Sequence, residues 1–345
     1  MKSIKKRAFF IQRLLYSIIA LFGISILIFV IARIVPGDPA RLALGPRAPQ
    51  EVVDRLRKEM YLDKSIPEQY FYWLKGAVQG DFGKSLVTKR NVVDDIKDYL
   101  PATLELALFS ALFMIIGAIV LGLLSARYHD KWIDIMIRIS SYVGIAIPSF
   151  VLAILLLLLF GYHWPILPVL GRISSNIMSP PRVTGFMLLD SLISGNGYAF
   201  WDSFKHLLVP AFALALGSLL QEARITRSSL LDNMSKDFLV AERAYGIPER
   251  VIMFKYLLKP SLIPTVSVIG LDIASLMSNA FLVEMIFNWP GISRYGINAM
   301  LNKDLNAITA VVLIFGLVFL VINIIVDLIV SYLDPRIRLG GTREA

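Results

Sequence analysis

A charged stretch between two apolar segments decides how this chain folds. It runs from Glu222 to Pro264 and reads EARITRSSLLDNMSKDFLVAERAYGIPERVIMFKYLLKPSLIP. Seven Lys or Arg and five Asp or Glu lie within it, whereas the flanking sequence is almost purely apolar. Gly246 followed by Pro248 is typical of one helix that ends and another that begins, because glycine adopts the left-handed conformation of a helix end and proline fits a first turn. The stretch therefore predicts a short helix, a break and a restart, with Pro264 where the chain re-enters apolar sequence.

The composition indicates a membrane protein. Of the 345 residues, 56% are hydrophobic, which is more than a soluble domain of this size can bury. There are no cysteines, so disulfides, thiolate metal ligands and cysteine nucleophiles are excluded. The net charge of +9 follows membrane topology, as shown below, so we expect contact with membrane lipid and no nucleic-acid partner.

Six apolar segments are long enough to cross the hydrocarbon core of a bilayer, which takes about 20 residues. They cover 13–35, 102–126, 134–161, 206–223, 261–286 and 307–332. The fourth is the shortest, and its run into Arg224 indicates a helix that extends beyond the bilayer. The first apolar run is longer than the core of a signal peptide, roughly 7–15 residues, which predicts an uncleaved first span. The predicted fold class is an all-α membrane protein with six transmembrane helices, in the cell membrane.

The distribution of Lys and Arg predicts that both termini lie inside the cell. With the N-terminus inside, eighteen Lys or Arg fall in the inner segments and five in the short outer loops. Positive residues favour the cytoplasmic side of short loops, whereas long segments escape this bias. We therefore predict an N-in, C-in topology.

Three regions follow from this topology. Residues 1–35 form a cytoplasmic N-terminus and the first transmembrane helix, and 36–101 form an extracytoplasmic segment. The segment contains two amphipathic patterns, at 51–61 and 66–78, that predict helices. Residues 102–345 form the core transport domain, with the cytoplasmic loop 222–260 inside it.

No arrangement of side chains typical of catalysis or metal binding is found in the sequence. Gly83-Lys84-Ser85 resembles the end of a phosphate-binding loop, but the glycine such a loop needs five residues earlier is Val78. The three histidines, His129, His163 and His206, are scattered over a cytoplasmic turn and two outer positions and do not converge as metal ligands do. We predict that the chain is not an enzyme and has no metal, cofactor or nucleotide site of its own.

Polar residues inside the fifth span predict a translocation pathway. Asp272, Ser275 and Asn279 are spaced i, i+3 and i+7 and so share one helix face, and Glu284 follows in the same span. A charge in the bilayer interior costs roughly 3 kcal/mol or more, so such residues face a bundle interior or an aqueous path. The alternative is a network of hydrogen bonds that only packs helices together.

The charged loop carries apolar side chains that a solvated connector does not need. They are Phe238, Leu239, Val240, Tyr245 and Ile247. Apolar groups in an exposed, charged loop predict an interface with another protein. The alternative is a solvated connector that contacts nothing.

The loop resembles the EAA-type coupling loop of ABC importer permeases, in the form found in the dipeptide, oligopeptide and nickel permease family. Glu242-Arg243-Ala244-Tyr245-Gly246, with Pro264 18 positions after the glycine, matches the family's pattern. Similar motifs along the chain are Pro36-Gly37-Asp38-Pro39, Gly80-Asp81-Phe82-Gly83-Lys84-Ser85, Pro101-Ala102-Thr103, Pro148-Ser149-Phe150, Asn288-Trp289-Pro290-Gly291 and Leu333-Asp334-Pro335-Arg336. The long outer segment after the first span resembles the B-type subunit. Pro260 departs from the pattern and predicts a later start of the fifth span.

The resemblance implies a type I ABC importer permease fold and a set of partners. These are a second, homologous C-type permease subunit, two cytoplasmic ABC ATPase subunits that bind ATP and Mg, and an extracytoplasmic substrate-binding protein. The residues implied to couple to the ATPases are Val240, Ala241, Glu242, Arg243, Ala244, Tyr245, Gly246, Ile247 and Pro248.

The resemblance implies import of di- or oligopeptides, and the same machinery importing oligosaccharides or nickel is the alternative. Another class remains open, a proton-coupled secondary transporter that uses Asp272 or Glu284. Such a protein would be expected to show repeated halves and broken helices. A structural or receptor-like membrane protein would leave the polar face of the fifth span unexplained.

Overall fold

The computed structural model describes residues 2–34 and 38–333. Every regular element among these residues is helical. The helices are α1 Lys2–Ile34, α2 Pro39–Leu44, α3 Gln50–Glu59, α4 Ile66–Val78, α5 Val92–Arg127, α6 Trp132–Ala146, α7 Ser149–Leu158, α8 Met187–Ile193, α9 Gly197–Met234, α10 Asp237–Ala244, α11 Glu249–Val251, α12 Leu258–Ile286, α13 Ile292–Leu301 and α14 Leu305–Leu333. Two π-helical segments, Leu159–His163 and Ile252–Leu257, continue α7 and join α11 to α12. Pro36, Gly37 and Asp334 to Arg336 of the motifs above lie outside the described residues.

The predicted all-α membrane fold is confirmed. Five helices are long and apolar enough to cross a membrane, and a bent pair gives a sixth crossing if its two parts are taken together. The five are Leu15–Ile34, Val92–Arg127, Gly197–Met234, Glu249–Ile286 and Leu305–Val326. The bent pair is Trp132–Ala146 with Ser149–His163.

The third span is broken where the sequence analysis expected one helix over 134–161. α6 and α7 meet at 105°. The break falls at Ile147, which has an extended backbone (φ −88°, ψ 119°), directly before Pro148. Proline disfavours the helical conformation in the residue before it and supplies no N–H to continue the helix, which explains the break.

The spans on either side of the charged loop are longer than expected. The fourth span was placed at 206–223, but α9 continues to Met234. The extension is helical because Thr226 and Leu230 bury one of its faces completely. The expected later start of the fifth span is wrong, since the helical path begins at Glu249 and passes through Pro260 and Pro264. The part of the loop between the two long helices is therefore only 235–248.

The chain divides into two compact units. Unit 1 comprises Met1–Thr103, Arg182–Phe186 and Pro290–Leu320, and unit 2 comprises Leu104–Pro181, Met187–Trp289 and Val321–Ala345. In unit 1, Ser25 shares a 2.7 Å hydrogen bond with Tyr70, and Arg33 donates to Gln69 at 2.8 Å, so α1 is fastened to α4.

Unit 2 is organised around α9, which packs against α6, α7, α8 and α12. Glycines allow two of the approaches to α9. A Cβ on Gly144 of α6 would lie 2.1 Å from Leu220, and one on Gly122 of α5 would lie 2.6 Å from Thr226. The centre of the unit is an apolar cluster around Met114, and a second apolar cluster lies where the loop 235–248 begins and ends.

Candidate coupling helix and transport path

The charged loop contains a short helix, α10, that ends in a defined cap. After Ala244 the N–H of Gly246 donates to the carbonyl of Arg243 at 2.9 Å, and the N–H of Ile247 donates to that of Glu242 at 3.2 Å. This pair of bonds is the Schellman motif, which needs a left-handed residue after the helix. Gly246 supplies it with φ +73°. The sequence Tyr245-Gly246-Ile247-Pro248 therefore fixes where α10 ends.

The inner side of α10 is anchored in unit 2. Leu239 is fully buried in a cluster with four other buried residues. These are Ala126, Leu230, Ile252 and Leu257. Ile247 packs against the same cluster from the far side of the break. Because both sides of the break are held by apolar contacts, α10 and its cap are joined firmly to the long helices α9 and α12.

The outer side of α10 is exposed. Val240 is 60% exposed and Tyr245 84% exposed, and Ala241 and Ala244 lie open between them. Arg243 donates two hydrogen bonds to Glu249, at 2.8 and 3.2 Å, across the break. This hydrogen bonding and the charge of Glu249 raise the pKa of Arg243.

The predicted coupling residues thus form one continuous segment with a common exposure. They are Val240, Ala241, Glu242, Arg243, Ala244, Tyr245, Gly246, Ile247 and Pro248, of which only Glu242 and Ile247 are partly buried. A Cβ added at Gly246 would meet no atom of this chain within 4 Å, although a side chain at φ +73° strains the backbone. The exposed surface of this segment has the small residues Ala241 and Ala244 between the larger apolar side chains of Val240 and Tyr245.

A buried ion pair holds the base of the loop. Asp134 of α6 is fully buried and accepts two hydrogen bonds from Arg227 of α9, at 2.6 and 2.8 Å. It also accepts from Ser125 Oγ at 2.5 Å and from the Asp130 N–H at 3.0 Å. With the carboxylate satisfied on both oxygens, α5, α6 and α9 are fixed together at Arg227, ten residues before the start of α10.

In the fifth span, α12 brings together three of the four predicted pathway residues. Asp272 and Ser275 are half-buried, Asn279 is exposed, and the Ser275 hydroxyl donates to the Asp272 carbonyl at 2.8 Å. Glu284 is fully buried instead. It lies 12 residues beyond Asp272, about 120° further round the helix, so it belongs to a different face.

Glu222 is the residue that the sequence analysis missed. The sequence pattern makes it the start of the charged loop, but it is fully buried within α9 and interacts with Asp272. The signal in the sequence is the apolar run before it, which can bury a helix that continues past Glu222. The sequence alone did not show that this carboxyl meets another from α12.

The phosphate-loop resemblance at Gly83-Lys84-Ser85 has a structural explanation in unit 1. The N–H groups that follow it bind a carboxylate of the chain itself, since Leu86 and Val87 donate to Asp304 at 2.7 and 3.3 Å. Among the described residues there is also no group of three or more His, Cys, Asp or Glu that could hold a metal ion.

Comparison with known families gives the class of the protein. Residues 118–339 match the family of binding-protein-dependent transport system inner membrane components, and residues 7–107 match its N-terminal region. The chain is 36% identical over 330 residues to a probable D,D-dipeptide transport system permease of Escherichia coli K12, covering 96% of this chain and 97% of the relative. It is also 36% identical to a dipeptide transport system permease of Alkalihalophilus pseudofirmus, covering 96% and 99%. A glutathione transport system permease of Escherichia coli K12 is 32% identical, covering 95% and 98%.

The chain belongs to the family of inner membrane components of binding-protein-dependent transport systems. It is a membrane-embedded permease subunit of an ABC transporter. Permeases of this family are transport subunits rather than enzymes, have no cofactor of their own and act with partner subunits. The predicted family, function class and membrane location are confirmed.

Proposed function

We propose that this chain is the B-type permease subunit of an ATP-driven importer of dipeptides and oligopeptides. The names of the three relatives share one chemistry, since D,D-dipeptides, dipeptides and glutathione are all short peptides. Each relative matches this chain over nearly its whole length, including the regions that carry α10 and the polar face of α12. The same permease importing oligosaccharides or nickel is the alternative that the substrate test below distinguishes.

The partners proposed are a C-type permease subunit, two ABC ATPase subunits that bind ATP and Mg, and an extracytoplasmic binding protein. The observation that carries this assembly is α10, a helix anchored through Leu239 and exposed through Val240 and Tyr245. A helix without a nucleotide site transmits motion when it is packed rigidly on one side and docks on a moving partner with the other. The small residues Ala241 and Ala244 let such a partner approach closely.

The topology proposed is N-in and C-in, with 36–101 outside as an extracytoplasmic segment and 102–345 as the transport core. The distribution of Lys and Arg supports this orientation, in which the loop, limited to 235–248 and containing α10, lies on the cytoplasmic side where ATP is available. The half-buried and exposed residues Asp272, Ser275 and Asn279 are proposed to line the pathway. Glu284, which is buried on another side of α12, would contribute to the pathway only after a rearrangement.

The first test compares two substitutions at one position. Gly246→Trp places its Cβ where no atom of this chain lies within 4 Å, but it also strains the cap, because φ at this position is +73°. Capture of the second permease therefore reports whether the variant still folds. Gly246→Asn is the matched control, since asparagine tolerates a positive φ. We expect tagged wild type and Gly246→Asn to capture the second permease and the two ATPases from solubilised membranes, as identified by mass spectrometry.

Gly246→Trp is expected to lose the ATPases while the second permease remains. Capture of the wild-type chain without any ATPase subunit would contradict the proposed assembly.

The substrate is tested separately, by ATP-driven uptake of a labelled dipeptide, an oligosaccharide or Ni²⁺ into vesicles that contain the captured complex and its binding protein. Uptake of the sugar or the metal in place of the dipeptide would contradict the peptide assignment.

A further inference from the structure

Glu222 of α9 and Asp272 of α12 bring two carboxyl groups together inside unit 2. Glu222 is fully buried and Asp272 is half-buried. Among the described residues, no donor group reaches either oxygen of Glu222 or the buried Oδ2 of Asp272. Thr226 of α9 and Thr265 of α12 bond to each other at 2.9 Å, Glu222 lies one turn before Thr226, and Asp272 lies two turns after Thr265. Because α9 and α12 run in opposite directions, the two carboxyl groups lie at neighbouring levels of the helix pair, where they interact.

The surroundings of the pair are apolar or already hydrogen-bonded. Towards the cytoplasmic end of α9, the hydroxyls of Thr226 and Thr265 bond to each other at 2.9 Å, and Thr226 also donates to the Glu222 carbonyl. On the other side lies the apolar cluster of Met114, Ala215, Leu219, Leu220 and Ile269. The pair thus lies between α9 and α12, which form the most extensive contact between two helices among the described residues.

The charged groups on the helices that pack against α9 do not neutralise the carboxyl groups of Glu222 and Asp272. On α6, Asp134 is paired with Arg227, and Arg138 and Tyr142 line a cavity of about 150 Å³ beside Arg224 and Arg227. α7 carries no titratable side chain, and neither does the part of α5 between Glu105 and Arg127. α8 contributes Asp190, which lies against the opposite end of α9. The π-helical segment Ile252–Leu257 also packs against α9 and carries Lys255 and Tyr256. Among the described residues, Asp272 is the only side chain that acts on the Glu222 carboxyl.

Two ionised carboxylates cannot persist in this arrangement. A buried carboxylate without a partner costs several kcal/mol, and a second negative charge at hydrogen-bonding distance adds repulsion in a low dielectric. Pairs of this kind keep one proton, which one carboxyl donates to the other. Ionisable residues inside a membrane-spanning bundle are retained at such a cost where they serve a purpose.

We propose that Glu222 and Asp272 form a proton-binding site, in which a single proton held between the two carboxyl groups joins α9 to α12. The proton comes from water and is released to water on the half-buried side of Asp272, with no other bond made or broken. Loss of the proton leaves two negative charges in contact and weakens the interface between the two helices.

The first experiment detects the proton directly. Infrared difference spectra of the assembled transporter, recorded in H₂O and D₂O at neutral pH, report the C=O stretch of a protonated carboxyl. We expect this band in the wild type and its loss in Glu222→Gln, whose amide donates permanently to Asp272. The doubly neutral variant Glu222→Gln, Asp272→Asn is expected to lose it as well and provides a second sample if the single variant folds poorly. Glu51→Gln, an exposed carboxyl in α3, is the matched control and keeps the band.

The second experiment measures the consequence for stability. Raising the pH from about 6 to about 9 removes a proton from a buried carboxyl of this kind. The folded protein holds this proton and the unfolded chain does not, so thermal stability falls as the pH rises. We expect the unfolding midpoint of the wild type and of Glu51→Gln to fall by on the order of 3 °C more than that of Glu222→Gln.

Two results would overturn the proposal. One is a carboxyl band of equal intensity in the wild type and both amide variants, which would place the proton elsewhere. The other is an equal dependence of the unfolding midpoint on pH in the wild type and Glu222→Gln, which would mean that the pair carries no proton in the folded state.

Discussion

Two short segments of this protein use their polar groups in opposite ways. In unit 1, residues 84–91 turn their hydrogen-bond donors inward onto Asp304, a fully buried carboxylate. In unit 2, residues 237–248 bury one leucine and present most of their remaining side chains outward. A glycine and a charged residue mark both segments, Gly83-Lys84 at the start of the first and Arg243 with Gly246 within the second. A motif therefore stabilises the fold where the chain encloses its groups, and it is free to bind a partner where its side chains are exposed.

The largest effect on stability is expected from Asp304→Ala. The substitution leaves the Ser85 hydroxyl and the N–H groups of Leu86 and Val87 without their acceptor, which costs about 3 kcal/mol or more in the free energy of unfolding. Thermal or denaturant unfolding of the purified protein measures it. Asp304→Asn keeps an acceptor oxygen and is the control with a smaller loss. If Asp304→Ala unfolds like the wild type, the hydrogen bonds to Asp304 do not stabilise the loop at 84–91.

The next effect is expected from Leu239→Ala, at the anchored side of α10. Removing a fully buried leucine side chain costs about 2–4 kcal/mol. Because the loss falls on the attachment of α10, ATP hydrolysis should continue in the assembled complex while transport declines. ATPase activity and uptake in the same vesicles measure the two quantities. Leu239→Met, which keeps the side-chain volume, should behave like the wild type. Uptake by Leu239→Ala equal to that of the wild type would show that Leu239 does not anchor α10 for transport.

A small effect is expected from Arg243→Gln. Its ion pair with Glu249 closes the break between α10 and α11, but both side chains are largely exposed, and exposed pairs of this kind contribute about 0.2–1 kcal/mol. At high salt the free energies of unfolding of the wild type and Arg243→Gln should become equal, because salt screens the ion pair. Unfolding at low and high ionic strength tests it. A difference that persists in high salt would mean that the arginine acts by packing instead.

The smallest effect on stability is expected from Tyr245→Ala, within about 0.5 kcal/mol, since the ring is exposed and packs on nothing essential to the fold. Its effect on ATPase capture should nevertheless be severe, because the ring belongs to the surface proposed to dock. Co-purification of the ATPase subunits measures it against the unfolding midpoint of the same sample. Normal capture would leave Tyr245 outside the docking surface.

Much of the fold could be predicted from the sequence because the determining signals are local. The apolar runs gave the spans, and Gly246 with Pro248 gave the end of α10 correctly. The break at Ile147 could also have been derived, since Pro148 was visible, but proline within a span produces either a kink or a break. Pro264 stands in an unbroken helix, so the outcome depends on the packing around it and not on the residue alone.

The site was predictable in part for a similar reason. The nine residues around α10 adjoin one another in the sequence, so a single motif identified them. Glu222 and Asp272 are 50 positions apart, and their meeting depends on how α9 packs against α12. The length of α9 was also underestimated. Thr226 and Leu230 are buried by helices that are distant in the sequence, so the sequence of α9 alone does not show that this part is packed.

α10 is proposed to dock on an ATPase subunit, and site-specific photo-crosslinking tests this contact. A photoreactive amino acid replaces Tyr245, which is 84% exposed beside α10, or Tyr198, which is 87% exposed at the start of α9 on the predicted outer side. The account predicts a covalent product with an ATPase subunit from position 245 and none from position 198. A product from both positions, or from position 198 alone, would contradict it.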